Sequence, residues 1–284
     1  MKVAFISDSG TGMNRKELAS LGVFSVPLQI TYGDKSFLEN EDITIKKVNE
    51  LMGNEKVLTT SLPPLGLIED LFTELKVEGY DMIFAIPICK GLSGTINAME
   101  IVAKQLEIDF DYFDHHVTAV VEKYMVIRAK ELYEQGTSTE EIKNVLSAIC
   151  NTTNTLLIPT DLQHLKRGGR LTPFAATLGG LLKIIPILKI NKETQGKIDV
   201  HTKVRTLRKA MLKTVELMKS EIPEEGLNYH ITVAHVDSLQ NAKSLISIYK
   251  EHFPRAEFEV IDLVSVVSIH TGLGCLATQY YKVL

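Results

Sequence analysis

The chain has 284 residues, 31 Lys+Arg against 35 Asp+Glu for a net charge of −4, 45% apolar residues and 23% charged ones. That length supports two ordinary domains or one large one with ample core, and the composition excludes disordered, collagenous and disulfide-scaffold classes. A mildly acidic balance without a Lys/Arg run gives nucleic acid no electrostatic footprint and an anionic membrane surface little attraction.

In chain order, the first third alternates short β-rich runs with segments of helical period, the pattern of βαβ units on a parallel sheet. Strands are predicted at Lys2 to Ser7, Phe24 to Ile30, Met82 to Pro87 and Val117 to Val121. Amphipathic helices are predicted over Leu65 to Lys76 and Ile96 to Leu106, where apolar residues recur at i, i+3, i+4 and i+7. Two helical stretches follow, Met125 to Gln135 and Thr139 to Cys150, the second opened by Ser138 or Thr139 with Glu141 in capping position. Beyond Asn151 the pattern changes to a strand (Thr155 to Pro159), a basic glycine turn (Lys166 to Arg170) and an apolar ribbon, Leu182 to Ile190. Lys197 to Thr202 returns after a turn at Glu193 to Gly196, as an antiparallel hairpin would. His230 to His235 and Phe258 to Val260 flank a helix from Ala242 to His252, and Gln279 to Val283 reads as a final edge strand.

The fold class expected is therefore α/β in two domains. Residues 1–150 read as a parallel sheet with helices, and residues 151–284 as a mixed sheet with helices. The N-terminal apolar run meets Asp8 too early for a secretory signal, and Leu178 to Ile190 is broken by Lys183, Pro186 and Lys189, too short a run for the roughly 20 residues of a membrane span. A cytoplasmic protein without membrane insertion is expected. Cys89, Cys150 and Cys275 lack any CxxC or Cys/His spacing, so they read as reduced core thiols, with no metal site.

Two hydroxyl clusters carry candidate chemistry. Gly91-Leu92-Ser93-Gly94-Thr95 stands where a strand gives way to a helix, so its hydroxyls and backbone N–H groups could hold an anion or simply cap the helix. Thr59-Thr60-Ser61, followed by Pro63-Pro64, precedes another helix and admits the same two readings. If both clusters lie on neighbouring βα loops, they sit at the carboxyl ends of strands, where open α/β sheets bind ligands. His270 lies between a hydroxyl pair and two glycines, in Ser268-Ile269-His270-Thr271-Gly272-Leu273-Gly274, and could donate to an anion or move a proton. His115 and His116 read as residues leading into a strand. Arg167 and Arg170 offer guanidinium forks to a carboxylate or phosphate, or else belong to a solvated turn. Lys203, Arg205, Arg208 and Lys209 make a basic helix start of the kind that docks acidic partners or is merely solvated. No nucleotide, nicotinamide or zinc motif is present. The Gly91–Thr95 segment approximates a GxSxG elbow with Thr95 in place of the second glycine. A hydrolase or acyltransferase using Ser93 and His270, oriented by Asp8 or Asp114, is thus the rival reading. An interaction protein with a vestigial pocket is a third.

Taken in order, the motifs resemble the DegV family of bacterial fatty-acid-binding proteins. The matching segments are Ser7-Asp8-Ser9, Thr60-Ser61-Leu62-Pro63, Gly91-Leu92-Ser93-Gly94-Thr95, Leu165-Lys166-Arg167-Gly168-Gly169-Arg170, Pro186-Ile187-Leu188, Lys203-Val204-Arg205-Thr206 and His270-Thr271-Gly272-Leu273-Gly274. The resemblance implies the DegV-like (EDD) two-domain fold, a Rossmann-like N-terminal parallel sheet with helices on both faces and a C-terminal mixed sheet with helices, with one long-chain fatty acid in an apolar tunnel between the domains. It places the carboxylate on Thr60 or Ser61 and on Ser93, with Gly94, Thr95 and His270 nearby, and Arg170 neutralising the head group. It further implies a non-enzymatic carrier without cofactor that presents its ligand to a separate fatty-acid kinase for acyl-phosphate formation, with Arg205 on the kinase-facing surface. Two departures from the family pattern, Glu122-Lys123-Tyr124 and Ile185, bear on pocket shape, acyl preference and partner pairing.

Overall fold

The first strand, β1 (Val3–Asp8), is buried at all six positions, as a strand covered on both faces must be. In this computed structural model, which describes residues 1–177 and 184–284, β1 belongs to a unit formed by Met1–Ser147 with Val264–Val266. After it come α1 (Arg15–Ser20), β2 (Phe24–Val26), β3 (Gln29–Tyr32), β4 (Lys35–Leu38), α2 (Ile45–Gly53) and β5 (Leu58–Ser61). They are followed by α3 (Leu65–Val77), β6 (Met82–Ala85), α4 (Thr95–Gln105), β7 (Asp109–Tyr112), α5 (Val120–Glu134) and α6 (Thr139–Cys150).

Four of these strands form a parallel sheet in the order β2-β1-β6-β7. Ala4, Ile6, Ile83 and Ala85 face a core supplied by Ile68, Phe72 and Leu75 of α3 and by Met99, Val102 and Ala103 of α4. On the other face Phe5 meets Phe84 and Tyr133 of α5, at ring centroid distances of 5.5 and 5.4 Å. Helices thus cover both faces. The chain leaves β1 toward β2 and β6 toward β7, in opposite directions, so the order reverses between β1 and β6 and opens a crevice at their carboxyl ends.

Several elements depart from the sequence reading. The run Phe24 to Ile30 is two strands. Pro27 has no N–H to give a ladder, and the chain leaves the parallel sheet there to build a small antiparallel sheet, β4-β3-β5. The run Val117 to Val121 is no strand; it is a buried loop and the first turn of α5, and the fourth strand is the acid-flanked β7. An apolar run of five residues does not distinguish a buried strand from a buried helix start. Helices α1 and α2 went unforeseen. The capping of α6 is as expected, with Ser138 Oγ accepting from the Glu141 N–H at 3.3 Å and the Glu141 carboxylate accepting from the Ser138 N–H at 3.0 Å.

The second unit comprises Ala148–Leu263 with Val267–Leu284. It contains β8 (Asn154–Ile158), α7 (Leu162–Arg167), α8 (Pro173–Ala176), β9 (Ile185–Ile190), β10 (Asp199–Val204), α9 (Leu207–Lys219) and β11 (Tyr229–His235). Then follow α10 (Leu239–His252), β12 (Glu257–Asp262), α11 (Ser265–Thr271), whose first two residues fall with the first unit, and β13 (Leu276–Lys282). The sheet is mixed, in the order β10-β9-β8-β13-β11-β12, with β9 and β10 as the expected antiparallel hairpin. The start of the apolar ribbon, Leu182 and Lys183, lies outside the described residues. Helices α9 and α10 pack on Leu156, Ile158, Ile187, Ile231, Val233, Leu276 and Tyr280.

The last strand is central rather than an edge. β13 runs antiparallel to both β8 and β11, and its polar side chains are satisfied in the core. Gln279 donates to Thr155 Oγ1 at 2.9 Å, and the Tyr249 hydroxyl bridges Thr214 and Thr278 at 2.7 and 2.8 Å. Thr, Gln and Tyr read as exposed in sequence; here each finds a buried partner. Cys89, Cys150 and Cys275 are buried thiols in no disulfide. Among the described residues no helix is long and apolar enough to cross a membrane.

Candidate functional site

The site builds from the crevice at β1 and β6. After β6 the chain passes through Ile86 to Gly94 before α4 begins at Thr95. The loop is held at several points. The Ile86 N–H donates to the Ile6 carbonyl at 2.8 Å, and those of Leu92 and Ser93 both donate to the Cys89 carbonyl at 3.0 Å. The ring Nε2 of buried His115 lies 2.9 Å from the Pro87 carbonyl. His115 and His116 therefore belong to the loop after β7, contrary to the strand approach expected of them. Gly94 is the N-cap of α4 and carries no side chain to fill that role. Ser93 Oγ lies 2.9 Å from Thr95 Oγ1 and accepts from the Thr95 N–H at 3.3 Å. Two hydroxyls and the positive end of an 11-residue helix thus converge at Ser93, Gly94 and Thr95, with Thr95 buried and Gly94 exposed.

Thr60 and Ser61 lie elsewhere than expected. They end β5 in the small antiparallel sheet, where Thr60 pairs with Ile30 and Ser61 with Gln29, and so are not on a βα loop of the parallel sheet. Nor do they cap α3, whose N-cap is Pro64. Their neighbour Leu62 nevertheless approaches the other cluster, because a Cβ on Gly94 would stand 3.8 Å from Leu62 Cδ2. Leu62, one residue beyond Ser61, therefore stands beside the Gly94 N-cap within the first unit. Leu62 is the contact that sequence reasoning passed over.

In the second unit His270 occupies the penultimate position of α11, a helix unforeseen in the sequence. The basic turn closes around it. Gly168 ends α7 in helical conformation, and a Cβ there would meet His270 Nδ1 at 2.9 Å and its Cβ at 3.1 Å. Arg170 Nη1 donates to the Gly168 carbonyl at 2.7 Å, and His164 Nε2 lies 2.7 Å from the Ile269 carbonyl. Burial first, then the positive charge of Arg170 and the neighbouring His164, hold His270 down at about 4. It is neutral at physiological pH and can give a carboxylate one N–H but no charge. Arg170, half-buried, remains the cation of this cluster. Replacing Gly168 with alanine is expected to cost about 1–3 kcal/mol through overpacking, read as a lower urea midpoint, and to shift the His270 ring resonances. Arg205 stands exposed just beyond β10, with Lys203, Arg208 and Lys209 also exposed.

The carboxylates considered for a catalytic triad are committed within the first unit. Asp8 is fully buried and accepts from the Gly10 and Ile88 amides at 2.7 and 3.2 Å. Asp114 accepts from the Lys90 and His116 amides at 3.4 and 3.3 Å. Beside Asp8 lie two further buried acids absent from the sequence reading of the site, Glu39 and Glu122. The described residues hold no cluster of three or more His, Cys, Asp or Glu able to bind a metal ion.

Comparison with known proteins gives one answer along the whole chain. The model of the DegV family, described as "Uncharacterised protein, DegV family", matches residues 2–283. The DegV domain-containing protein BH3627 of Halalkalibacterium halodurans is 29% identical over 282 residues, covering 99% of this chain and 98% of its own. Protein DegV of Bacillus subtilis is 28% identical over 279 residues, covering 97% and 98%. Among solved structures, the fatty acid binding DegV family protein SAG1342 from Streptococcus agalactiae matches with a TM-score of 0.89 at 25% identity, with 100% of both chains covered. DegV, a fatty acid binding protein from Bacillus subtilis, matches with 0.87 at 27% identity, again over 100% of both. The family that the ordered motifs resemble is thereby established, and this chain belongs to the DegV family.

Proposed function

We propose that this protein binds one long-chain fatty acid and presents its carboxyl group to a separate fatty-acid kinase, without catalysing a reaction itself. The carboxylate is held by the hydroxyls and amides of Thr60, Ser61, Ser93, Gly94 and Thr95, with His270 as a neutral N–H donor and Arg170 as the compensating cation. The observation that carries this reading is the match, over the full length of both chains, to two DegV structures named as fatty-acid binders. The local geometry supports it, since the paired Ser93 and Thr95 hydroxyls at a helix N-terminus suit a carboxylate.

Energetics favour a carrier. Burying about 15 methylenes at about 0.8 kcal/mol each gives roughly 12 kcal/mol before losses of ligand freedom, so apolar contact supplies most of the affinity. The polar groups need only satisfy the carboxylate. A hydrolase would need a carboxylate that orients His270, whereas Asp8 and Asp114 accept from backbone amides of the first unit.

Denaturing mass spectrometry of an organic extract of the purified protein is expected to return a fatty acid in near-equimolar amount. An empty extract, followed by no binding of added fatty acids, would overturn the proposal. Arg205→Ala is expected to leave fatty-acid affinity unchanged and to lower the yield of acyl phosphate with a cognate kinase by about tenfold or more, as removing a charged interface anchor does. An unchanged yield removes Arg205 from the partner surface.

A further inference from the structure

The two buried acids Asp8 and Glu122 meet at the crevice that carries the candidate site. Neither has solvent exposure, and the Glu122 carboxyl donates a hydrogen bond to that of Asp8. Their closeness is also visible over Gly10, where an added Cβ would lie 2.7 Å from both Asp8 Oδ1 and Glu122 Oε2. Asp8 holds two loops at once, accepting from Gly10 in the turn after β1 and from Ile88 in the loop after β6. Glu122, in the first turn of α5, accepts from the Ser7 hydroxyl at 3.1 Å and from the Thr118 hydroxyl at 3.1 Å. The single Ser7 proton is shared between Glu122 and the Ile86 carbonyl, which lies 2.8 Å from Ser7 Oγ. Both carboxyls therefore grip the Ile86 to Ser93 loop, Asp8 directly and Glu122 through Ser7. From Ile88 the connection to the hydroxyl cluster is short, because the next carbonyl, that of Cys89, accepts the N–H of Ser93.

We infer that Glu122 is a positioning residue: sharing one proton with Asp8, it keeps the Asp8 carboxylate on the Gly10 and Ile88 amides and so fixes the loop that presents Ser93. Two carboxyls in contact away from water cannot both ionise. With one proton between them, the ionised partner accepts three hydrogen bonds and is stabilised by each. Without that proton they repel. The shifts agree with this arrangement: burial raises Asp8 to about 6, and burial followed by the charge of Asp8 raises Glu122 well above the usual range. The other titratable groups facing the pair do not replace the proton. Glu39, beside Asp8, is itself raised to about 8 by burial and brings no positive charge, the Cys89 thiol is pushed up by burial, and His115 is held neutral at about 4, beside Asp114 and His116. Lys90 is turned to the Tyr112 hydroxyl at 2.7 Å.

The ligand part of the test rests on the fatty-acid reading, and a ligand-free measurement separates the two. Amide hydrogen exchange of peptides covering residues 86–93 in the apo-protein is expected to be about tenfold faster in Glu122→Ala than in the wild type, and unchanged in Glu122→Gln, which still donates to Asp8. Peptides covering 229–235 in the other unit are expected to exchange equally in all three proteins, which excludes general unfolding. Binding of a long-chain fatty acid is then measured as pH is raised above neutrality; wild-type affinity is expected to fall about tenfold or more where the shared proton leaves, and Glu122→Gln to stay within about threefold over the same range. Equal exchange of the 86–93 peptides in the alanine variant would overturn the inference, as would a glutamine variant that titrates like the wild type. A wild type that binds no fatty acid would overturn the function proposed above, while hydrogen exchange would still decide the role of Glu122.

Discussion

Removing both hydroxyls proposed to hold the head group, in the double variant Thr60→Ala/Ser93→Ala, is expected to weaken fatty-acid binding by about 3–6 kcal/mol, roughly 10² to 10⁴ in Kd. Each lost bond to a charged carboxylate contributes about 1.5–3 kcal/mol, more than a bond between neutral groups. The two residues differ in what else they do. Ser93 Oγ accepts from the Thr95 N–H, so Ser93→Ala alone also removes a contact at the start of α4 and is expected to cost about 1 kcal/mol of stability, as lost N-caps do. Thr60 lies on β5, its backbone paired to Ile30, and alanine keeps that pairing. Titration calorimetry with a long-chain fatty acid, beside urea unfolding of the same variants, separates the effects. Affinity lost far beyond the fall in stability supports the assignment. Wild-type affinity in the double variant would remove both hydroxyls from the head-group site.

How far the site was legible in the sequence depends on what each residue must contact. The Ser93 to Thr95 cluster was readable because a strand, a glycine-rich turn and a helix of clear 3.6 period follow one another locally. The proximity of Leu62 to Gly94 was not readable, since it requires the chain to leave the parallel sheet at Pro27 and return β5 from a separate small sheet. The central place of β13 was hidden for a related reason. Thr278 and Gln279 look solvent-facing until their partners Tyr249 and Thr155, distant in the chain, are known. Glu122 did leave a signal. On α5, positions 122, 125, 126 and 129 form one stripe at helical spacing, with Met125, Val126 and Ala129 buried, so an acid on that stripe had to be buried too. Asp8, directly after an apolar strand, left a weaker one, because any βα loop can carry an exposed aspartate.

The same buried acids dictate how stability depends on pH. Glu39 has no solvent exposure; its carboxylate accepts from the Ser9 hydroxyl at 2.6 Å and from the Val266 N–H at 2.8 Å. Burial nonetheless outweighs these bonds and raises it to about 8, from 4.5. Between those values the folded protein holds a proton that the unfolded chain has shed, so each rise in pH favours unfolding by about 1.4 kcal/mol per unit. Glu122 acts in the same direction over its own raised range. His115 and His270 act oppositely, since both are lowered from 6.5 to about 4. The unfolded chain binds their protons more strongly, so their contribution grows as pH rises from about 4 to about 6.5 and is complete above that. Below about 6.5 the histidines and acids offset one another; above it only the acids remain. Urea unfolding is therefore expected to show stability falling from pH 6.5 to pH 8 by about 2 kcal/mol from Glu39 alone, with Glu122 adding to the fall. Glu39→Gln should flatten part of that decline, because glutamine can still accept from Val266 without titrating. A wild-type profile that rises through this range, or a glutamine variant with the full wild-type slope, would show that Glu39 is ionised in the fold and that its bonds to Ser9 and Val266 outweigh its burial.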